Sequence, residues 1–267
     1  MNVVYEPRGR AREYSELACN LYLGCTHGCR YCYAPACMRT TGDEWHAKCK
    51  PRNDILRLLD KDARRLHGDQ RFILFSFLSD PYQPLERTER LTRQALEIMA
   101  KHRLNNQVLT KGDADLILED MELMKLARTQ LGVTLCFVDD DTRRQWEPRA
   151  STVDDRLTIL KKAHKAGIFT WVSLEPVINP EQALEVIRLA NPYVNFWKIG
   201  KLNHMKEHEQ LVDWEKFVDD VEDLLIKLKS QFYIKKDLRR FSKQFRDENK
   251  KVEQTDGKKL VKAANAA

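Results

Sequence analysis

The sequence predicts an α/β protein folded as an open, partial (β/α)6 barrel, and three observations carry that prediction. Short apolar segments rich in β-branched and aromatic residues occur six times along the chain. Stretches of helical period separate them, and residues able to do chemistry follow several of the apolar segments directly. Serial strand-then-helix units specify a parallel sheet with right-handed crossovers, and six units are too few to close an eight-stranded barrel.

Taken in order, the predicted strands are Ala18 to Gly24, Phe72 to Phe77, Gln107 to Thr110, Val133 to Val138, Phe169 to Leu174 and Val194 to Ile199. Asn53 is placed to cap a helix whose apolar face is Ile55, Leu56, Leu59, Ala63 and Leu66. Leu91, Ala95, Ile98, Met99 and His102 mark a second stripe, and Ile117, Met121 and Met124 a third. Ser151 and Asp154 have capping-box spacing ahead of Leu157, Leu160 and Ala163. Asn179 followed by Pro180 predicts another helix start, and the last long helix buries Trp214, Phe217, Val221, Leu224 and Leu228. These boundaries divide the chain into a basic segment over 1–17, a core domain over 18–238 and a polar tail over 239–267. From about Arg246 the chain loses its large apolar residues, so that tail is expected to be mobile.

At 267 residues, with 42% apolar and 32% charged side chains, the chain suits one soluble domain with a substantial core. No run approaches the roughly 20 apolar residues that span a bilayer, and Arg8, Arg10 and Arg12 are followed by no apolar signal core. A cytoplasmic location is expected, with no membrane partner. Seven cysteines, three of them within eight residues, fit thiolate ligands in a reducing compartment better than a disulfide framework. The net charge of +6 permits a nucleic-acid partner without requiring one. Local basic clusters stand at Arg8/Arg10/Arg12, Arg64/Arg65/Arg71 and Lys235/Lys236/Arg239/Arg240.

The most informative run is Cys25-Thr26-His27-Gly28-Cys29-Arg30-Tyr31-Cys32. It gathers three thiolates on one short loop and supplies no fourth at matching distance. A structural zinc takes four protein ligands, commonly as two separated pairs. A four-iron cluster held by three thiolates keeps one iron open to a small molecule. Zinc completed by His27, Cys19, Cys37 or Cys49 is the alternative, and it gives a zinc-stabilised nucleic-acid-binding protein without redox chemistry. A barrel serving only as a partner-binding module is a third reading. Cys37 and Cys49, 12 residues apart without paired spacing, read as free thiols.

The Cys-x3-Cys-x2-Cys loop with Tyr31 before the third cysteine resembles the signature of the radical S-adenosylmethionine (SAM) superfamily. Ser79-Asp80-Pro81-Tyr82-Gln83-Pro84, Thr110-Lys111-Gly112 and Glu147-Pro148-Arg149-Ala150-Ser151 with Arg156 narrow the resemblance. They resemble the branch related to spore photoproduct lyase, the DNA repair photolyase-like proteins, from about Tyr14 to Leu238. The resemblance implies a partial barrel of the radical SAM type, a [4Fe-4S] cluster and S-adenosyl-L-methionine as cofactors, and a reducing protein such as a flavodoxin or ferredoxin as partner. It implies a lyase-like enzyme that generates a 5'-deoxyadenosyl radical, with nucleic acid as a candidate substrate.

By the same resemblance Cys25, Cys29 and Cys32 hold the cluster and the Tyr31 backbone meets the adenine. Ser79 and Asp80 receive the amino and ribose side of the cofactor, Lys111 pairs with its carboxylate, and Arg149 is a further candidate for that pocket. One position departs. Where spore photoproduct lyase carries a hydrogen-donating cysteine two residues before the corresponding serine, this chain has Phe77, which has no S–H to give. Cys136 is a replacement donor only if it faces the lumen; free cysteines are more often core residues. Glu175 reads equally as a lumen residue and as a strand end, and strand alternation allows only one of Trp197 and Lys198 to face inward.

Overall fold

The computed structural model describes residues 2–75 and 77–245. One sheet contains β1 (Leu17–Cys19), β4 (Ile73–Phe75), β5 (Asn106–Thr110), β6 (Thr129–Thr134), β7 (Thr170–Val177), β8 (Phe196–Lys201) and β9 (Phe232–Ile234), side by side in that order. Every pairing in it is parallel. A separate antiparallel ribbon joins β2 (Tyr22–Leu23) to β3 (Lys50–Pro51). The sheet ends at β1 on one side and β9 on the other, so the barrel is open. β9 extends the six predicted units by one; at three residues it is too short for its alternation to register in the sequence.

Alternation assigns the two faces of this sheet. Leu17, Ile73, Phe75, Val108, Leu131, Val133, Val172, Leu174, Trp197 and Ile199 belong to the buried core shared with the helices. Each such side chain contributes about 1.5–3 kcal/mol on leaving water. The lumen face carries Gln107, Gln130, Gly132, Thr134, Ser173 and Lys198 instead. That polar inner face explains the displaced fourth strand. The apolar run Val133 to Val138 is the exit of β6, whose body lies earlier, where Gln130 and Gly132 interrupt the apolar pattern. The first predicted strand breaks at Asn20, whose Oδ1 accepts the N–H groups of Phe77 (2.9 Å) and Leu78 (3.0 Å) in place of a ladder partner. β7 runs longer than expected, so Glu175 and Pro176 lie inside it.

Among the helices, Ile55–Arg65 starts behind Asp54, in the left-handed region at φ 54°, rather than behind Asn53. The third apolar stripe falls on two short helices, Ala114–Glu119 and Met121–Leu126, separated by the buried Asp120. The capping box belongs to Thr152 and Asp155, one residue later than predicted, because Ser151 is engaged with the Lys111 carbonyl. Asn179 caps Pro180–Ala190 as expected, accepting Gln182 N–H at 2.9 Å. Trp214–Lys227 buries Trp214, Phe217, Val218, Val221 and Leu225.

The N-terminal segment crosses the open side of the barrel. Tyr5 forms an antiparallel bridge with Ala18 on β1, and Glu13 accepts the Tyr233 hydroxyl (2.8 Å) and the Lys236 N–H (2.9 Å) at the far edge. The residues over 246–267 expected to form a mobile tail lie outside the described residues. Among the described residues no helix is long and apolar enough to cross a membrane.

Candidate active site

The cysteine loop leaves β2 at the mouth formed by the C-terminal ends of the strands, and other segments hold its backbone at several points. Thr26 N–H donates to Gln83 Oε1 (3.2 Å), His46 Nδ1 meets Cys25 O (2.7 Å), Arg30 N–H donates to Trp146 O (2.9 Å) and Arg149 N–H donates to His27 O (3.1 Å). Arg149 Nε also donates to Thr26 O. Gly28 sits at φ 70°, and a Cβ there would stand 2.8 Å from Arg149 Nη2, so loop and guanidinium fit only because the side chain is absent.

Cys25, Cys29 and Cys32 are all free thiols, and Cys29 lies within electrostatic reach of the other two. Burial pushes Cys25 up to about 11 and raises Cys29 and Cys32 as well. As thiols they are poor ligands; a metal must displace their protons to bind. Among the described residues no three His, Cys, Asp or Glu side chains stand in ready metal-ligating geometry. Cys37 is exposed. Burial, then Cys25, pushes Cys49 up to about 12. Cys19 belongs to the outer core, on the face of β1 away from the lumen.

Behind the loop, the ends of β4 and β5 bring together Ser79, Asp80 and Lys111. Ser79 is buried, its hydroxyl donating to Tyr22 O at 3.3 Å. Asp80 accepts the Thr110 hydroxyl (2.6 Å), Tyr82 N–H (2.9 Å) and Lys111 N–H (2.8 Å), and stands 4.0 Å from His27 Nδ1. Burial pulls the His27 imidazole down to about 4, so it is neutral, and its Nδ1 has no hydrogen-bond partner among the described residues. Burial also works against the Lys111 ammonium, but Cys29, Glu147 and Asp80 outweigh it and hold the group above the usual lysine value. That ammonium lies 6.0 Å from the centre of the Tyr31 ring.

Sequence reasoning quoted Glu147 and Arg156 as part of a motif but gave them no place in the site. Both are sealed from solvent and meet at 2.6 Å. Tyr31, between the second and third cysteines, donates its hydroxyl to the same Glu147. Gln83, which holds the Thr26 N–H, lies in the motif Ser79-Asp80-Pro81-Tyr82-Gln83-Pro84.

The lumen below holds a second polar group. Tyr14 enters from the N-terminal segment, donates to Glu175 and shares a 2.7 Å hydrogen bond with Ser173. Lys235 Nζ donates to both Glu175 oxygens at 2.9 Å. Glu175 rests over Gly200, where a Cβ would stand 2.6 Å from its carboxyl carbon. Glu175 is therefore a lumen residue, and Lys198, which donates to Tyr14 O at 2.6 Å, faces inward while Trp197 packs outward. Phe77 meets Tyr14 edge-on at 6.2 Å, and its carbonyl accepts the Tyr33 hydroxyl at 2.6 Å. Cys136 is buried with Phe137 and Trp146 in a small cluster apart from the main core, packed against Tyr31.

Fold and loop together define an open-barrel protein with a soft-ligand loop at its C-terminal mouth. The radical SAM superfamily model matches residues 19–191, and the chain belongs to that superfamily. It is 29% identical to uncharacterized protein MJ0683 of Methanocaldococcus jannaschii, with 69% of each chain covered. It is 26% identical to uncharacterized protein Rv2578c of Mycobacterium tuberculosis, over 60% of this chain and 48% of that one, so it spans about half that relative's length. Among solved structures, spore photoproduct lyase complexed with dinucleoside spore photoproduct superposes with a TM-score of 0.61 at 13% identity, covering 86% of this chain and 79% of that one. SuiB of Streptococcus suis bound to S-adenosylmethionine gives a TM-score of 0.59 at 10% identity, covering 81% and 49%. These structures share the fold.

Superfamily membership implies a 4Fe–4S cluster and S-adenosylmethionine, and the residues fit both. Three free soft donors share one loop, as a cluster with one open iron requires. Beside them lies the Lys111 ammonium, and the buried Thr26 hydroxyl has no hydrogen-bond partner among the described residues.

Proposed function

We propose that this protein is an enzyme that reductively cleaves S-adenosylmethionine and directs the resulting radical onto a substrate in the barrel lumen, with nucleic acid as the substrate class. When bound, the cluster supplies the electron that splits the cofactor into methionine and a 5'-deoxyadenosyl radical. Cys25, Cys29 and Cys32 hold it, and the Tyr31 backbone lies beside the adenine. The Lys111 ammonium pairs with the cofactor carboxylate, and Ser79 and Asp80 border its amino and ribose side. Arg149, whose Nε is taken by Thr26 O, is a further candidate for that pocket through its remaining N–H groups. The lumen wall of Tyr14, Phe77 and Glu175 excludes water from the radical. A flavodoxin or ferredoxin serves as reductant.

The observation that carries this reading is the three free thiols on one loop with the Lys111 ammonium beside them, within electrostatic reach of Cys29, Glu147 and Asp80. The nucleic-acid assignment draws support from the fold shared with spore photoproduct lyase, whose solved complex holds a dinucleoside photoproduct. Phe77 argues against that lyase's own hydrogen-return step, so the outcome on the substrate differs from a simple dimer reversal.

Anaerobic reconstitution with iron and sulfide, then dithionite and S-adenosylmethionine, is the test. The wild-type protein is expected to turn brown and release 5'-deoxyadenosine, and Cys29→Ala to do neither. Stoichiometric zinc in a colourless protein, or an intact cluster that yields no 5'-deoxyadenosine, overturns the reading.

A further inference from the structure

One short loop, Trp146 to Ser151, touches both the cysteine loop and the Lys111 turn. On one side it grips the cysteine loop through Arg30 N–H to Trp146 O, Arg149 N–H to His27 O and the Glu147 carboxylate under the Tyr31 hydroxyl. On another it grips the Lys111 turn, since Ser151 N–H (2.9 Å) and Ser151 Oγ (3.1 Å) both donate to the Lys111 carbonyl. From beneath, two buried arginines fix its own carbonyls. Arg143 Nη1 donates to Glu147 O (2.9 Å) and Ala150 O (3.2 Å), while Arg156 Nη2 donates to Ser151 O (2.9 Å). Arg156 Nη1 reaches Thr134 O at 3.0 Å, anchoring the assembly to the end of β6.

This wiring is costly for stability alone. Glu147 and Arg156 are a fully buried ion pair, and such pairs are commonly matched or bettered by apolar residues of similar volume. What an apolar pair cannot do is aim a carboxylate oxygen at the Tyr31 hydroxyl while forking onto the carbonyls of Thr134, at the end of β6, and Ser151, in the loop. Tyr31 sits one residue before Cys32, so its orientation is tied to that of the third thiol.

We propose that Glu147 and Arg156 are positioning residues that register the cysteine loop against the Lys111 turn, so that the metal end and the carboxylate end of the cofactor site keep a fixed separation. This rests on the reading of the site as a cluster and S-adenosylmethionine pocket. Neither residue touches the reacting atoms. Arg143, on the helix Asp140–Trp146, supports the same loop and is held by Asp140 through two contacts of 2.8 and 2.6 Å.

Tyr31→Phe, Glu147→Gln and Arg156→Lys are tested against the wild type in the full-length, anaerobically reconstituted protein. Iron per chain, the electron paramagnetic resonance spectrum of the reduced cluster with and without S-adenosylmethionine, and the dissociation constant of S-adenosylmethionine are measured. All three variants are expected to weaken S-adenosylmethionine binding at least tenfold. They should also blunt the change that it causes in the spectrum, while Tyr31→Phe and Glu147→Gln retain near wild-type iron. Variants that lower the melting temperature of the metal-free protein yet keep the wild-type spectral change and affinity would show a purely structural pair and overturn the proposal. If Arg156→Lys does not fold, Tyr31→Phe, which removes one hydroxyl, decides the matter. A wild-type protein that takes up no iron, or whose spectrum ignores S-adenosylmethionine, defeats the parent reading and this one together; failure of the variants' phenotype alone defeats only this one.

Discussion

The Asp80 carboxylate accepts the backbone N–H of Lys111 at 2.8 Å, and through this bond the end of β4 fixes the position of the turn that ends β5. The other oxygen takes the Thr110 hydroxyl at 2.6 Å and the Tyr82 N–H at 2.9 Å. Three protein donors thus converge on a side chain proposed to border the cofactor. The two roles are compatible because a carboxylate offers about four acceptor positions.

Asp80→Ala leaves those three donors without an acceptor in a buried setting. Each unsatisfied group costs about 1–3 kcal/mol. The variant is expected to lose at least 2 kcal/mol, roughly the cost of two such groups, in urea unfolding of the metal-free protein, and S-adenosylmethionine binding as well. Asp80→Asn keeps one acceptor oxygen and should fall between the two. Unchanged unfolding for Asp80→Ala would mean that the three donors find water, and the bracket has no weight.

Lys111→Met tests the other member of the pair. The ammonium lies within electrostatic reach of Cys29, Glu147 and Asp80. Methionine fills similar space without charge. A charge-assisted bond to a carboxylate is worth about 1.5–3 kcal/mol, so calorimetry should show S-adenosylmethionine binding weakened by roughly ten- to a hundredfold. Wild-type affinity in Lys111→Met would remove the lysine from the cofactor site.

Gly112→Ala probes how closely the two strand ends approach. A Cβ on Gly112 would land on the backbone carbonyl of Tyr82, which also accepts the Asp113 N–H at 2.8 Å. A backbone atom cannot rotate aside as a side chain can. The substitution should cost about 1–3 kcal/mol, and separating the two turns should weaken cofactor binding in parallel. Equal melting temperatures for variant and wild type would contradict the contact.

Legibility from the sequence followed burial. The open α/β barrel was readable because Leu131, Val133, Val172 and Leu174 point into a continuous core. The loop Cys25 to Cys32 and the strand-end residues Ser79, Asp80 and Lys111 were readable because their chemistry is dense and local. What escaped were features made by long-range pairing. Asn20 breaking the first strand depends on Phe77 and Leu78, 57 and 58 residues away. Glu147 under Tyr31 joins residues 116 apart, and Tyr14 reaching Glu175 joins residues 161 apart. A linear pattern records none of these. The polar lumen face hid β6 for the same reason, since Gln130 and Gly132 break an apolar run without breaking the strand.

Lys198 gives the fold a pH signature that does not involve the cysteine loop. Its ammonium projects into the lumen, donating to Tyr14 O and lying 4.9 Å from the centre of the Trp171 ring and 5.2 Å from that of Tyr14. The facing charged groups are Lys235 and Glu175, which are themselves paired. Burial, and then the like charge of Lys235, pull Lys198 down to about 8, against about 10.4 for an unfolded lysine. Between those values the unfolded chain binds more protons than the folded one, so stability rises with pH across that window. Below about 8 both states carry the charge, and the burden of the buried ammonium is fully felt. Lys198→Met removes the titration. The wild type should therefore gain stability relative to Lys198→Met as pH rises from 8 to 10, by at most about 1.4 kcal/mol per pH unit for one proton. Thermal melts of both proteins across pH 7 to 10 read this difference directly. A constant gap between the two curves would place Lys198 in free contact with water, and the N-terminal segment would then no longer cover the base of the barrel.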